Sequence, residues 1–491
     1  MSGRGEPRKK RVDARVASVK LGAMTTPSAL DRAHEHALAF LDHLDDRPVA
    51  ARAGIEALRA GFLRPLPEEG CDPAKVVDEL VAAAEPGIHT SAGGRFFGWV
   101  IGGALEAAVG ADWLTSVWDQ NAGAYAVSPG AAIVEEAVGV WLKDLIGLPK
   151  DASFGIVTGC QMAHVTCLLA ARHALLERQG WEVETKGLFG APPIRVFTSD
   201  THHASVDRAV RIIGMGSDCI SSLNSDAPGR LEAEALEGAL AAWKGPAVVV
   251  LQAGELCTGV FDDFETLIPI AHEAGAWVHV DGAIGLLAAA SRTRRHLVKG
   301  VERADSWATD GHKWLNTPYD CGLAFTADPD AHRASLTQHA SYMVPTAARD
   351  QLDWNPEFSR RARGFVVYAA LRQLGRSGLA ALVDSTSEHA SNLTQGIAAL
   401  PGVELLAAPV INQGLVRFLD VRPEATQADH DRRTDEVIAA ICRGGEAFFG
   451  GATWRGRRAM RISVSNWRTS EDDVRRTIAA VAQALGRNEA D

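Results

Sequence analysis

Four short segments in the middle of the chain hold residues whose types and spacing could do chemistry together. Thr158-Gly159-Cys160-Gln161 stands between a short apolar run and a helical pattern. Free backbone N–H groups and the helix dipole make an anion seat at such a start, though an ordinary strand-to-helix turn is spelled the same way. Thr201-His202-His203-Ala204-Ser205 offers paired imidazoles for acid–base work, metal ligation or stacking on a flat ligand. No third ligand has matching spacing, so no metal site is expected. His279-Val280-Asp281-Gly282-Ala283 ends an apolar run in a carboxylate, which must be paired or hydrogen-bonded there, and small residues after it permit close approach of something flat. The plainer role for Asp281 is a helix cap. Asp310-Gly311-His312-Lys313-Trp314 sets a lysine between apolar runs, 32 residues beyond Asp281. A buried lysine loses its charge readily and becomes a nucleophile or Schiff-base former, whereas on an open loop it is merely solvated.

To bring these segments together the chain needs a sheet. Short β-rich runs occur at 155–157, 194–198, 247–252, 277–280, 306–308 and 322–326. Helical patterns lie between several of them, at 162–178, 205–213, 231–243 and 264–275. Residues 247–252 (AVVVLQ) are apolar almost throughout, as befits a strand covered on both faces. This alternation predicts an α/β fold with a mostly parallel, helix-covered sheet, whose ligands sit at the carboxyl ends of its strands. Earlier in the chain, helical patterns cover 29–62, 74–84 and 131–146, and 89–103 is rich in glycine and aromatics. Residues 331–360 are polar and read as a mobile loop; 365–374 and 379–400 read as helices. The stretch 403–491 reads strand, strand, helix, strand, helix, a smaller α+β domain whose likeliest strands are 415–419 and 459–465.

Composition sets the outer bounds. The 491 residues carry 50 Lys and Arg against 61 Asp and Glu, a net charge of −11, which argues against a nucleic-acid binder. No stretch reaches the length of a membrane span; the best candidate, residues 96–105, is flanked by Arg95 and Glu106. Seven scattered cysteines without a CxxC pair fit a reducing cytoplasm and no disulfide framework. Residues 1–20 are the exception in charge, with seven Lys and Arg against Glu6 and Asp13. They read as a solvated tail, with Met24 as an alternative start.

An anion seat, a flat stacking group, a carboxylate after a strand and a lysine form the set that pyridoxal 5'-phosphate requires: the carboxylate keeps the pyridine nitrogen protonated and the ring becomes an electron sink. The chain also resembles the pyridoxal-dependent group II decarboxylases, which include aromatic amino acid, glutamate, histidine and tyrosine decarboxylases. The resemblance runs from about His89 onward and rests on HHASVDRA, WVHVDGA and ADSWATDGHKWLNTPYDCG, in order and at matching spacing. It implies the aspartate-aminotransferase-like fold type I, in four parts. These are a disordered basic tail (1–24), an N-terminal helical segment packing on a partner chain (25–110), a large cofactor domain (111–395) and a small domain (396–491). It implies that Lys313 is the Schiff-base lysine, that Asp281 pairs with the pyridine nitrogen and that His203 stacks on the ring with Ala283 on the opposite face. By the same likeness Gly159, Cys160, Gln161 and His312 bind the phosphate. Trp99, Val100 and, from the partner chain, Tyr319 wall the substrate pocket of a homodimer. Arg360 and Arg361 also match, as ligand contacts or as braces of the fold.

Three departures stand out. The segment TGCQMAH lacks the usual Ser or Thr hydroxyls, so phosphate contacts fall to backbone N–H groups and Gln161. Asp310 stands where many relatives carry Asn. On the loop after Lys313, many relatives place a Tyr that protonates the carbon left by CO2; here the loop's tyrosine, Tyr342, fits its start, and the tip falls near Gln351. Protonation would then pass to another group such as His339 or His203, or the carbon would react with oxygen to give an aldehyde. The expected activity is α-decarboxylation of an L-amino acid in the cytoplasm. An aldehyde synthase, a transaminase, a carbon–carbon lyase and a non-catalytic pyridoxal-binding protein are the alternatives. Trp99, Trp118, Tyr125, Tyr319 and Trp454 favour an aromatic or bulky side chain. Arg455, Arg457 and Arg458 could instead select a carboxylate.

Overall fold

An uninterrupted apolar run needs cover on both faces, and residues Ala247–Gln252 have it: all six are buried in the middle of a sheet. The computed structural model describes residues 28–338 and 348–486. The basic tail, His339 and Tyr342 lie outside the described residues. Two units are distinguished. One, residues 28–43 and 52–88, holds the helices Ala29–Asp42, Ile55–Phe62 and Pro73–Ala84. Within it Asp78 accepts hydrogen bonds from Arg32 at 2.7 and 3.0 Å and lies 2.7 Å from His36 Nε2. The single helical pattern expected over 29–62 is thus two helices, because residues 44–51 leave to join the second unit.

The second unit, residues 44–51 and 89–486, carries both sheets. The larger has seven strands: β1 Ser153–Val157, β2 Arg195–Ser199, β3 Ile220–Leu223, β4 Ala247–Gln252, β5 Trp277–Asp281, β6 Ser306–Asp310 and β7 Gly322–Thr326. Their order is β1-β7-β6-β5-β4-β2-β3. Neighbours from β6 to β3 pair in parallel, and β7 runs antiparallel between β6 and β1. This is the mostly parallel sheet that alternation implied. The strand not expected is β3, a partly exposed edge of four residues (ISSL) with only two apolar positions to announce it. Helix Cys160–Glu177 packs on the sheet with Val165, Leu168, Ala171 and Leu175 buried.

The smaller sheet has four antiparallel strands in the order β10-β11-β9-β8: β8 Val403–Ala407, β9 Gln413–Phe418, β10 Gly450–Trp454 and β11 Arg457–Ser463. Val416, Phe418, Met460 and Ile462 pack against Val437 and Ile441 of helix Gln427–Gly444 and Val474 and Val481 of helix Glu471–Gly486. β10 (GGATW) adds a strand to the expected pattern; its paired glycines hide it from a reading by propensity. A two-residue turn, Arg455 (φ 49°) and Gly456 (φ 75°), closes the β10–β11 hairpin. Arg455 holds that left-handed conformation by bonding back to Asp200 Oδ2 at 3.2 Å and Ser225 Oγ at 2.7 Å. The run Gly364–Ala398 behaves as two helices, as expected, because Gly375 (φ 60°, ψ −174°) interrupts it. No helix among the described residues is long and apolar enough to cross a membrane.

Arg360 and Arg361 are set as braces. Arg360 and Glu135 are both fully buried, with Nη1 2.6 Å from Oε1. Arg360 also donates to the carbonyls of Ala122 and Ile156, tying the segment before the long helix to β1. Arg361 pairs with Asp112 at 2.7 Å. Removing one partner of a buried pair leaves the other charge uncompensated. Glu135→Gln is therefore expected to lower unfolding free energy by about 3 kcal/mol or more, measured by urea denaturation, with Asp112→Asn costing under about 1 kcal/mol because that pair is partly solvated.

Candidate active site

Every chemistry-bearing segment follows the carboxyl end of a strand. Gly159 and Cys160 follow β1, His203 follows β2, Gly254 follows β4, Ala283 follows β5 and Lys313 follows β6; Asp281 and Asp310 are themselves strand ends. They converge on one cavity of about 430 Å³, whose lining includes Gly159, Cys160, Gln161, His203, Asp281, Ala283, His312 and Lys313. Eight positions spread over more than 150 residues of sequence thus meet in one place.

Asp281 is 7% exposed. Burial drives its carboxyl toward the neutral form. The imidazoles of His164 and His203 and the Ala283 N–H, 3.1 Å from Oδ1, outweigh that and hold it well below the usual carboxylate range. Asp281 is therefore a fixed negative charge facing the cavity.

At the other end, Lys313 Nζ lies 3.2 Å from Asp310 Oδ2. Burial works against the ammonium, but Asp310, with help from Asp281, holds it above the ordinary lysine range. Asp310 Oδ1 in turn accepts the Cys160 N–H at 2.6 Å and lies 3.3 Å from His312 Nε2. His312 Nδ1 accepts the Cys321 N–H at 3.1 Å, so the proton of the neutral ring belongs on Nε2, toward Asp310. Burial lowers the His312 pKa, against the pull of Asp310.

The His203 ring caps its own helix, Ala204–Ile212: Nδ1 accepts from Ser205 N–H at 3.2 Å and lies 2.7 Å from Ser205 Oγ. That fixes Nδ1 as acceptor. Desolvation lowers the His203 pKa despite Asp281 nearby, so the ring is neutral and flat at the cavity.

Pyridoxal phosphate fits this donor set. Asp281 matches a pyridinium nitrogen, Lys313 an aldehyde carbon, and the start of helix Cys160–Glu177 an anion. Gln161 has a buried Nε2 with no hydrogen-bond partner. Its amide, second in the helix, has no carbonyl acceptor within its own helix. Gly159 keeps the approach open: a Cβ there would stand 3.2 Å from His312 Cε1. Gly322 is more constrained still, since a Cβ would fall 2.2 Å from the Gly159 carbonyl carbon.

Three of the expected substrate residues do not line this cavity within one chain. Trp99 is 70% exposed, and Val100 is buried in the core beside it. Tyr319 is 59% exposed and stacks on His312 with ring centroids 4.2 Å apart. The arginines offered for carboxylate selection are engaged elsewhere: Arg455 as above, Arg457 with Glu404 at 3.0 Å and Arg458 with Asp435 at 2.7 Å. Gln351, expected at a loop tip, is instead fully buried, with Nε2 donating to the Ala132 carbonyl at 3.3 Å. Sequence reasoning also passed over Arg461 of β11, whose charge is felt by His203 and Glu255. It passed over His164 too, one turn into the helix from Cys160. The signal available for His164 was its i,i+4 spacing from Cys160 on a helix that opens at the anion seat.

Comparison with known proteins agrees with the geometry. The pyridoxal-dependent decarboxylase conserved domain matches residues 57–419. An aromatic-L-amino-acid decarboxylase of Bacillus atrophaeus is 25% identical over 446 residues, 88% of this chain and 90% of that protein. A phenylacetaldehyde synthase of Arabidopsis thaliana is 24% identical over 455 residues, again 88% of this chain and 90% of that protein. The crystal structure of Oryza sativa TDC with PLP and tryptamine superimposes with a TM-score of 0.87 at 23% identity, covering 93% of this chain and 96% of that one. The strand-end cluster and the length of the match lead to one statement: the chain belongs to the pyridoxal-dependent decarboxylases, fold type I enzymes, and is a pyridoxal-phosphate carboxy-lyase acting on an amino acid.

Proposed function

We propose that this enzyme decarboxylates an L-amino acid with a bulky, preferentially aromatic side chain, through Lys313, Asp281 and His203. The observation that carries the reading is the convergence of Asp281, Lys313 and a helix N-terminus on one cavity at the strand ends. Lys313 would hold the cofactor covalently, Gln161, the Gly159–Cys160 backbone and His312 its phosphate, Asp281 its pyridine nitrogen, and His203 and Ala283 its two faces. When bound, the cofactor supplies an electron sink for the pair released with CO2. Asp281 keeps a proton on the pyridine nitrogen. His203, neutral and with Nε2 as its remaining donor, orients the flat ligand. Arg461, a half-buried cation of β11 whose charge is felt by His203, is the group we assign to draw in the substrate carboxylate.

We read the active unit as a homodimer in the cytoplasm. An apolar band supports the pairing: Trp113, Leu114, Val117 and Trp118 on helix Glu106–Trp118 are exposed, as are Val127, Ile133 and Val140. A patch of that size marks a protein interface. Trp99 and Tyr319, both exposed, would then complete the substrate wall across the interface, and the helical segment 25–110 would pack on the partner. Seven unpaired cysteines suit a reducing compartment.

A second reading follows from the equal likeness to an aldehyde synthase. In that reaction one amino acid, O2 and water give aldehyde, CO2, ammonia and H2O2. Holoenzyme incubated in air with each amino acid separates the two. The expected outcome is CO2 with an equimolar amine from an aromatic substrate, and neither product from Lys313→Ala. Aldehyde with equimolar peroxide would establish the second reading, and an unaltered rate in Lys313→Ala would overturn both.

Lys313 must shed a proton before it can attack an aldehyde, and Asp310 holds that proton on. Asp310→Asn removes the nearest negative charge, so the lysine pKa falls and more neutral amine is present at any pH below it. Cofactor uptake by cofactor-free enzyme, followed by growth of visible absorbance, should run about tenfold faster in Asp310→Asn near neutral pH. The gap should close only as pH rises above the ordinary lysine range, where both amines are neutral.

A further inference from the structure

Behind the cavity runs a line of buried polar groups that the reaction as described does not use. His164 Nε2 lies 3.5 Å from Asp281 Oδ2. His164 Nδ1 lies 2.8 Å from His279 Nε2, and His279 Nδ1 lies 2.9 Å from Ser306 Oγ. Trp277 Nε1 donates to the same Ser306 Oγ at 2.9 Å. His164, His279 and Ser306 are each 0% exposed, and none of them lines the cavity. They meet the cavity at Asp281 and at Cys160, whose Sγ also lies 3.5 Å from His164 Nε2.

The ends of the line fix its protons. An indole nitrogen only donates, and an ionised carboxylate only accepts. Ser306 Oγ receives the Trp277 N–H and has its own O–H to give to His279 Nδ1. That leaves His279 Nε2 carrying its proton toward His164 Nδ1, and His164 Nε2 carrying its proton toward Asp281. In this arrangement every donor has an acceptor. Burial and the neighbouring His164 push the His279 pKa down to about 3, in keeping with a neutral ring. Cys160 Sγ, 3.5 Å from His164 Nε2, is a weak acceptor beside a carboxylate. With its pKa raised well above normal by burial, that thiol keeps its proton.

We propose that His164, held in one tautomer by His279 and Ser306, is a positioning residue that presents an N–H to Asp281 and so keeps that carboxylate ionised toward the cofactor's pyridine nitrogen. The proposal rests on the assignment of Asp281 to that nitrogen. Ala283 N–H satisfies Oδ1 and His164 attends Oδ2, so the two oxygens are held by different elements. A carboxylate stripped of one such donor gains proton affinity, and the proton it shares with a pyridine nitrogen shifts toward oxygen.

The test is nitrogen NMR of holoenzyme loaded with pyridoxal phosphate labelled with 15N in the ring, near neutral pH. Asp281→Asn is the control: its ring nitrogen should lose the pyridinium signal. His164→Leu should move the signal part of the way in the same direction and lower kcat about tenfold with KM little changed. Ser306→Ala, at the far end of the line, should move it less; it also keeps the test open if His164→Leu does not fold. A packing role alone would lower the melting temperature and leave the nitrogen signal in place. A pyridinium signal unmoved in both His164→Leu and Ser306→Ala, with Asp281→Asn displaced, overturns the role of His164 alone. A signal unmoved in Asp281→Asn overturns the assignment of Asp281 itself.

Discussion

A carboxylate that must stay charged inside a protein is the constraint around which this site is built. Asp281 ends a central strand with 7% of its surface exposed. Moving such an ion out of water costs several kcal/mol unless it is paired or hydrogen-bonded. Its partners come from three places: Ala283 from the turn after its own strand, His164 from the helix after β1, and His203 from the turn after β2. None is near in sequence except Ala283. The charge can therefore be buried only when β1, β2 and β5 are registered in one sheet.

The second charge centre obeys a different logic. Asp310 and Lys313 sit three residues apart on the turn after β6 and neutralise each other at 3.2 Å. Asp310 also occupies the Cys160 N–H, the first amide of the helix that should receive a phosphate. A carboxylate at a helix start is stabilised by the same dipole that stabilises a phosphate. In this chain the acid at position 310 therefore competes for part of the anion seat, and Gln161 is the donor that stays free.

These two centres show what could be read from residue order. Asp281, His203 and Lys313 could be singled out because each lies at or shortly after the end of a strand; Asp281 also closes an apolar run with small residues after it. The strand Ala247–Gln252 was legible to the residue because burial on both faces forces an all-apolar spelling. β3 and β10 were not, since an edge strand can be half polar and a hairpin strand can be half glycine. His164 was not legible because its importance lies in a distance, across a helix and a strand, to His279 and Asp281. Gln351 was misplaced by counting along a loop, where nothing periodic fixes the register; its buried bond to Ala132 is a tertiary fact.

The segment before helix Glu106–Trp118 is joined to the turn that carries Lys313 by steric contact. Trp99 and Val100 both have φ near +60°, a conformation costing a β-branched residue roughly 1–2 kcal/mol. It is retained because Val100 is buried in the core and Phe97 N–H bonds to the Phe448 carbonyl just before it. Two residues on, Gly102 rests against the Lys313 carbonyl so closely that a Cβ would fall 1.8 Å from that oxygen. Leu105 N–H bonds to the Asn316 carbonyl, on the far side of the same lysine. The exposed Trp99 indole and the Lys313 backbone are thus parts of one packed unit. Any surface that settles on Trp99 bears, through four residues of chain, on the backbone of Lys313.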